Sequence, residues 1–271
     1  MYELIAIDLD GTLLDDDKNI TKENLKALNW CKKQNIITVL ASGRGLSATR
    51  SIAKKISSFN DYHICCNGGL IFNTYKEDHK IIKTLNQNDF NNIIDDLRYI
   101  NASVGVQSPD GFYYEINTNA DMLKEKVFYS DKDLIKINLK NVKEPILITC
   151  YINNKKQYDE IFDIIKKYDI NITQSEKNWI EIFPKGVNKY NALKIIADSY
   201  NIDKKNIIAI GDQTNDIEMV KNAGLGICVK NACKDLKDVS DMISPYSNNQ
   251  NAVYHIIKEI LKCSILLNIF I

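Results

Sequence analysis

Apolar residues along this chain follow two rhythms. The first is a series of short unbroken runs separated by amphipathic segments. Glu3 to Asp8 is one such run and predicts a strand. Thr21 to Gln34 follows as a helix, with Thr21 at its N-cap and Leu25, Ala27 and Leu28 on its inner side. Ile36 to Ala41 is the next strand, Leu46 to Ile56 the next helix, and His63 to Cys66 a third strand ended by Asn67-Gly68-Gly69. Strands buried on both faces carry no polar alternation. The β-α-β-α-β order therefore predicts a parallel sheet covered by helices.

The second rhythm fills the middle of the chain, from about Leu85 to Pro184. Polar and apolar residues alternate in Phe112-Tyr113-Tyr114-Glu115-Ile116, Ile146 to Tyr151 reads as a strand, and helical patterns lie near Asp89 to Ile100 and Lys155 to Tyr168. Antiparallel strands with helices on one face fit this stretch. The first rhythm then returns. Helices are expected over Val187 to Tyr200 and Thr214 to Asn222, strands over Asn206 to Ile210 and Leu225 to Val229, and a closing helix over Asn251 to Leu261. The expected organisation is an α/β core of residues 1–84 and 185–271, with an α+β domain inserted at 85–184.

Composition narrows the classes. Lys plus Arg equals Asp plus Glu at 35 each, which gives no basic face for nucleic acid. Seven cysteines, an odd number without a Cys-x-x-Cys pair, read as buried free thiols in a reducing, cytoplasmic setting. The three histidines are far apart, which argues against a His-based zinc site. No signal peptide is read at the N-terminus, and the apolar run Ser264 to Ile271 is too short to span a membrane. Oligomeric state is not readable from this pattern.

The candidate chemistry sits at strand ends, where open parallel sheets bind ligands. Asp8-Leu9-Asp10-Gly11-Thr12 follows the first strand. Carboxylates at i and i+2 lie on one side of an extended chain, and Gly11 allows a sharp turn. One carboxylate can act as a nucleophile and its neighbour as a general acid and base. Ala41-Ser42-Gly43-Arg44 ends the second strand and offers a hydroxyl and backbone N–H groups for phosphate oxygens. Lys185-Gly186-Val187-Asn188-Lys189 places Lys189 in the first turn of a helix, as a point charge for a phosphoryl group. Gly211-Asp212-Gln213-Thr214-Asn215-Asp216 supplies hard oxygen ligands of the kind magnesium takes. Taken singly, each motif also reads as an ordinary turn, helix cap or solvated lysine. Their occurrence in order, each beside a strand end or helix start of one sheet, is what singles them out.

In these residues, together with Asn67-Gly68-Gly69 and Lys230-Asn231-Ala232, the chain resembles the haloacid dehalogenase-like (HAD) hydrolase superfamily. More narrowly it resembles the Cof-type sugar phosphatases. The resemblance implies a Rossmann-like parallel-sheet core with an inserted cap. It implies Asp8 as nucleophile and metal ligand, and Asp10 as general acid and base that ligates through its carbonyl. It further implies Ser42, Gly43, Lys189 and Asn215 around the phosphate, Asp212 completing a Mg2+ site, and Asp216 in support. The expected activity is Mg2+-dependent hydrolysis of a small phosphorylated metabolite through an aspartyl-phosphate. A phosphomutase and a non-catalytic phospho-ligand binding module are the alternatives. Ser42 stands where Thr is commoner, Tyr190 where Gly is usual, and Gln213-Thr214 where Gly-Glu is common. Asn249-Gln250-Asn251-Ala252-Val253 replaces an acidic-Gly-Val-Ala stretch. None of these changes removes a catalytic group. Trp179, Tyr113 and Tyr114 are expected either to stack on a substrate ring or to pack in a core.

Overall fold

The computed structural model describes residues 2–56, 62–76, 78–115, 134–176 and 178–268. Ile116 and the last three residues of the apolar C-terminal run lie outside them. The first rhythm of the sequence becomes a five-stranded parallel sheet. β1 (Leu4–Ile7) lies between β2 (Ile37–Leu40) and β12 (Ile207–Gly211), and β13 (Leu225–Cys228) and β14 (Met242–Ile243) follow in order beyond β12. Every residue of β1, β2 and β12 is buried. Each fully buried Ile or Leu contributes roughly 1.5–3 kcal/mol, so the unbroken apolar runs are what hold the sheet's centre.

Helix α1 (Lys22–Lys33) begins at Thr21, whose hydroxyl accepts from the Asn24 N–H at 3.2 Å. Asn24 itself is fully buried. Its amide donates to the Leu13 carbonyl at 2.9 Å and accepts from the Tyr254 N–H at 3.0 Å. One side chain thus ties the loop after β1 to α1 and to the C-terminal helix. Helix α2 (Leu46–Ala53) follows β2.

The third expected parallel strand is a departure. β3 (Tyr62–Cys65) pairs antiparallel with β4 (Leu70–Asn73), which pairs with β5 (His79–Ile81) in a separate sheet. A single parallel bridge, Ala41 to Ile64, links it to the main sheet. The cause is the turn that follows. Cys66, Asn67 and Gly68 have φ of 52°, 53° and 97°, which reverses the chain after four strand residues. Non-glycine residues held there cost of order 1 kcal/mol. The turn is held by the Cys66 N–H on the Arg44 carbonyl (2.8 Å) and the Asn67 N–H on the Ser42 carbonyl (3.0 Å). The strain therefore sits against the Ser42-Gly43-Arg44 loop.

The second rhythm becomes a six-stranded sheet in the order β10 (Ile170–Glu176), β11 (Trp179–Pro184), β9 (Leu147–Tyr151), β6 (Ser103–Ser108), β7 (Gly111–Tyr114) and β8 (Leu134–Lys136), antiparallel except for its last pair. One face packs Val106, Ile148, Ile180 and Ile182 under α3 (Gln87–Tyr99) and α4 (Lys155–Ile165). Trp179 is buried with Ala48 and Phe112, and Tyr113 belongs to the core under the helices, so both are packing residues. The chain returns through α5 (Lys189–Ser199), which starts at Lys189 rather than Val187 because Asn188 caps it, accepting from the Asn191 N–H at 2.7 Å. Helix α6 (Ile217–Asn222) is shorter than expected, since Thr214–Asp216 form a separate 3-10 turn. Two further helices follow, α7 (Lys234–Lys237) and α8 (Ala252–Asn268). No helix among the described residues is long and apolar enough to cross a membrane.

His63 lies fully buried in β3, and its Nδ1 accepts from the Leu40 N–H at 3.1 Å. Burial holds the ring neutral, with its pKa pushed down to about 3. The unfolded chain binds a proton near pH 6.5, so this contribution is complete above that pH and shrinks as pH falls toward 3, at about 1.4 kcal/mol per unit. Urea unfolding of wild type and His63→Gln at pH 7 and pH 5 tests this. The stability gap between them should narrow by about 2 kcal/mol at the lower pH. A constant gap would show that His63 is not buried neutral.

Candidate active site

The carboxyl ends of β1, β2 and β12 meet the second sheet across a cavity of about 230 Å³. Asp8 leaves β1 and is 5% exposed. Gly11, at φ 77°, turns the chain beside it, and a β-carbon there would run into the Asp212 carboxylate. Glycine is therefore required both for the turn and for the approach of the two acidic loops. At the end of β12, a β-carbon on Gly211 would strike the Asp216 side chain at 2.6 Å.

Lys189 is fully buried, and its Nζ lies 2.5 Å from Asp8 Oδ1 and 2.6 Å from Asp216 Oδ1. Asp216 Oδ2 accepts the N–H groups of Asp212 (3.0 Å) and Gln213 (3.1 Å). Asp212 accepts from the Thr12 hydroxyl at 3.0 Å. Asp8, Asp212 and Asp216 bring carboxylate oxygens within 4.8 Å of one another. One lysine faces three buried carboxylates, and the imbalance marks the titration of the group. Burial, then repulsion from Asp216 and Asp10, raises the Asp8 carboxyl to about 7 against the pull of Lys189. Burial and the charges of Asp8 and Asp216 raise Asp212 well above the ordinary carboxylate range. Burial opposes the charge on Lys189, but Asp216 and Asp8 outweigh it and keep the ammonium charged.

A divalent cation fits this deficit and the all-oxygen donor set. Asp216 is less suited to direct ligation in this arrangement, because both its oxygens are engaged by Lys189 and the two backbone N–H groups. Asp8 and Asp212 are better suited, each with Oδ1 engaged by one side chain.

Asp10 sits at the mouth, with its side chain 32% exposed. Arg44 grips it through two 2.7 Å bonds, Nε to Oδ2 and a terminal nitrogen to Oδ1, and Lys18 adds a third at 3.0 Å. Burial raises the Asp10 carboxyl, yet Arg44 and Lys18 prevail and hold it at about 2. Ser42 is buried, accepts from the Arg44 N–H at 3.0 Å and lines the cavity with Gly43. Asn215 also lines the cavity and donates to Asn67 Oδ1 at 2.9 Å. Asn67 in turn donates to Glu181 Oε2, on β11, at 2.5 Å.

Every expected site residue is therefore drawn to this one cavity or to the carboxylate network beneath it. Three participants were not read from the sequence. Arg44 was within a named motif but without a role, and its position two residues past Ser42 was the available signal. Lys18 ends the acidic run Asp15-Asp16-Asp17, where it resembles a solvated surface charge. Glu181 is a lone carboxylate between Ile180 and Ile182, a break in an apolar strand that was there to be noticed.

The chain is similar to proteins of known class over most of its length. It is 30% identical over 251 residues to the 5-amino-6-(5-phospho-D-ribitylamino)uracil phosphatase YcsE of Bacillus subtilis (strain 168), covering 89% of each chain. It is 26% identical over 286 residues to the phosphatase YwpJ of the same organism, covering 96% of this chain and all of the other. The fold superposes on the crystal structure of a haloacid dehalogenase-like hydrolase from Bacteroides thetaiotaomicron with a TM-score of 0.83 and 23% identity, over 96% of this chain and 100% of that one. The family model for haloacid dehalogenase-like hydrolases matches residues 5–257, and the chain belongs to that family.

Proposed function

We propose that this protein is a Mg2+-dependent phosphatase that hydrolyses small phosphate monoesters through a phosphorylated Asp8. The observation that carries the reading is the Asp8–Lys189–Asp216 network, with Asp212 beside it and Asp10 at the mouth of the same cavity. In this reading residues 1–84 and 185–271 form the catalytic unit, and 85–184 form the cap that covers it. The names of the relatives support the reaction class.

A Asp8 oxygen attacks phosphorus while the ester P–O bond breaks, and Asp10 gives its proton to the departing alkoxide. Water then attacks the phosphorus of the aspartyl-phosphate, passes its proton to Asp10, and releases inorganic phosphate with Asp8 restored. Ser42, Gly43 and Asn215 line the chamber that receives the phosphoryl group, and Lys189 fixes the orientation of Asp8 from below. Asp8, Asp212 and the Asp10 carbonyl would hold Mg2+, whose positive charge would offset the repulsion between nucleophile and phosphate. Arg44 has two tasks. It positions Asp10 before substrate arrives, and it must loosen its grip for Asp10 to take up a proton, since a carboxyl held at about 2 is ionised at neutral pH.

Phosphate release from a panel of small monoesters, with Mg2+ and with chelator, tests the reading. Asp8→Asn should lower release by about a thousandfold or more. Retention of full Mg2+-dependent activity in that variant would end the proposal. The metal site has a separate readout. Mg2+ at 100 times its dissociation constant should stabilise the fold by about 2.7 kcal/mol, seen as a raised melting temperature. Asp212→Asn should lose most of that rise, and an undiminished rise would move the site elsewhere. Arg44→Ala removes charge-assisted bonds and should lower kcat/KM roughly 10- to 100-fold across all esters. An unchanged kcat/KM would reduce the clamp to a contact of the substrate-free protein.

A further inference from the structure

We propose that a second cavity, between helix α2 and the turn joining β6 to β7, binds a phosphoryl oxyanion on Arg50. The inference stands apart from the reaction proposed above and needs no turnover to test. The cavity holds about 330 Å³. One wall is built by Ser47, Arg50 and Ser51 on α2 and by Lys54 just past its end. Their spacing puts all four on a single face of the helix. That face presents two hydroxyls, a guanidinium and an ammonium, all of them hydrogen-bond donors. The other wall is the β6–β7 turn, with Gln107 and Asp110. Gln107 also lines the cavity above Asp8, so the two cavities are neighbours.

Arg50 marks this cavity as a site. Its Nε and Nη2 are closed off from solvent and have no hydrogen-bond partner. The guanidinium carbon lies 5.5 Å from the centre of the Phe72 ring, a contact that answers part of the charge and leaves both N–H groups unmet. A buried donor without an acceptor is costly, so an occupant that supplies acceptors recovers the loss. Nε and Nη2 also form one edge of the guanidinium, two parallel donors spaced for two oxygens of one anion. The chain uses that edge elsewhere: Arg44 holds the Asp10 carboxylate by the same two nitrogens, each at 2.7 Å. A turn of the Arg50 side chain about its outer torsions carries the edge from the ring to an anion in the cavity that Arg50 already lines. A phosphoryl group suits the wall better than a carboxylate does. Two of its oxygens meet the Arg50 fork, and the remaining oxygen is left for the Ser51 hydroxyl and the exposed Lys54 ammonium. Asp110, the acid on this lining, accepts from the Tyr113 hydroxyl.

Amide resonances of the isotope-labelled full chain, followed by NMR as inorganic phosphate is added in the presence of chelator, test this. The amides of Ser51, Lys54 and Gly111 should shift along one saturable curve. Arg50→Gln should weaken that curve at least about tenfold, because the charged fork is lost. The amides of Gly43 and Asp212, at the cavity above Asp8, should respond in the variant as they do in wild type. Unchanged resonances away from both cavities show that the variant is folded. Arg50→Lys keeps a charge beside Phe72 without the fork and should weaken binding at least about threefold, which gives a second reading should the Gln variant not fold. Propylphosphonate, whose carbon–phosphorus bond resists hydrolysis, separates the two sources of a phosphoryl group. Tighter binding than inorganic phosphate assigns the cavity to a phosphorylated metabolite, and weaker binding assigns it to free phosphate. Amides at the second cavity that stay still, or that move alike in wild type and both variants, overturn the inference.

Discussion

Lys189 carries a full positive charge to a place with no exposure to water, between Asp8 at the end of β1 and Asp216 in the turn after β12. Removing an ammonium from water costs several kcal/mol, and the cost is recovered only with well-placed opposite charges. The two carboxylates supply them, and they come from positions 181 and 27 residues away. Deleting one partner of such a network would leave a buried unpaired charge, which is why its parts are mutually dependent. The parallel sheet can assemble its centre from apolar strands alone, but the loops at its carboxyl edge take their register from this ion network. Asp216 extends the network into the backbone by accepting from two N–H groups, so the loop that holds Asp212 is shaped by the same lysine.

The network also explains the charge state of the site. Three carboxylates share one ammonium, and burial resists the ionisation of Asp8 and Asp212. A site built this way is electrostatically incomplete, and a hard divalent cation is the simplest completion. The strained turn at Cys66-Asn67-Gly68 serves the same end from another side. Its N–H groups hold the Ser42-Gly43-Arg44 loop, and the Asn67 side chain spans from Asn215 to Glu181. Backbone that would be unfavourable elsewhere is here fixed by contacts to functional loops.

How far the sequence could be read depends on the range of the interaction involved. Buried strands announce themselves by unbroken apolar runs, and β1, β2 and β12 all fall where expected. The motif residues were legible because strand ends place them in a common region. Lys189 was legible as a charge belonging to the site but not as a buried ion, since burial depends on carboxylates distant in the chain. The error at β3 has a similar origin: an apolar run does not tell whether its neighbour is parallel, and the decision lies in three left-handed residues after it. Asn24 was invisible for the same reason, as its bonds run to Leu13 and Tyr254.

The mouth of the site holds a second balance of charge, opposite in sign to the first. Below, carboxylates exceed the cation; above, two cations, Arg44 and Lys18, are gathered on Asp10. These cations would attract an incoming phosphate dianion, which the carboxylates beneath oppose. The Arg44 guanidinium, planar and always charged, suits a carboxylate and a phosphate equally well. A phosphate that draws Arg44 toward itself weakens the hold on Asp10 in the same motion. In the proposed mechanism, the group that keeps Asp10 ionised would thereby be coupled to the arrival of a substrate that needs Asp10 protonated.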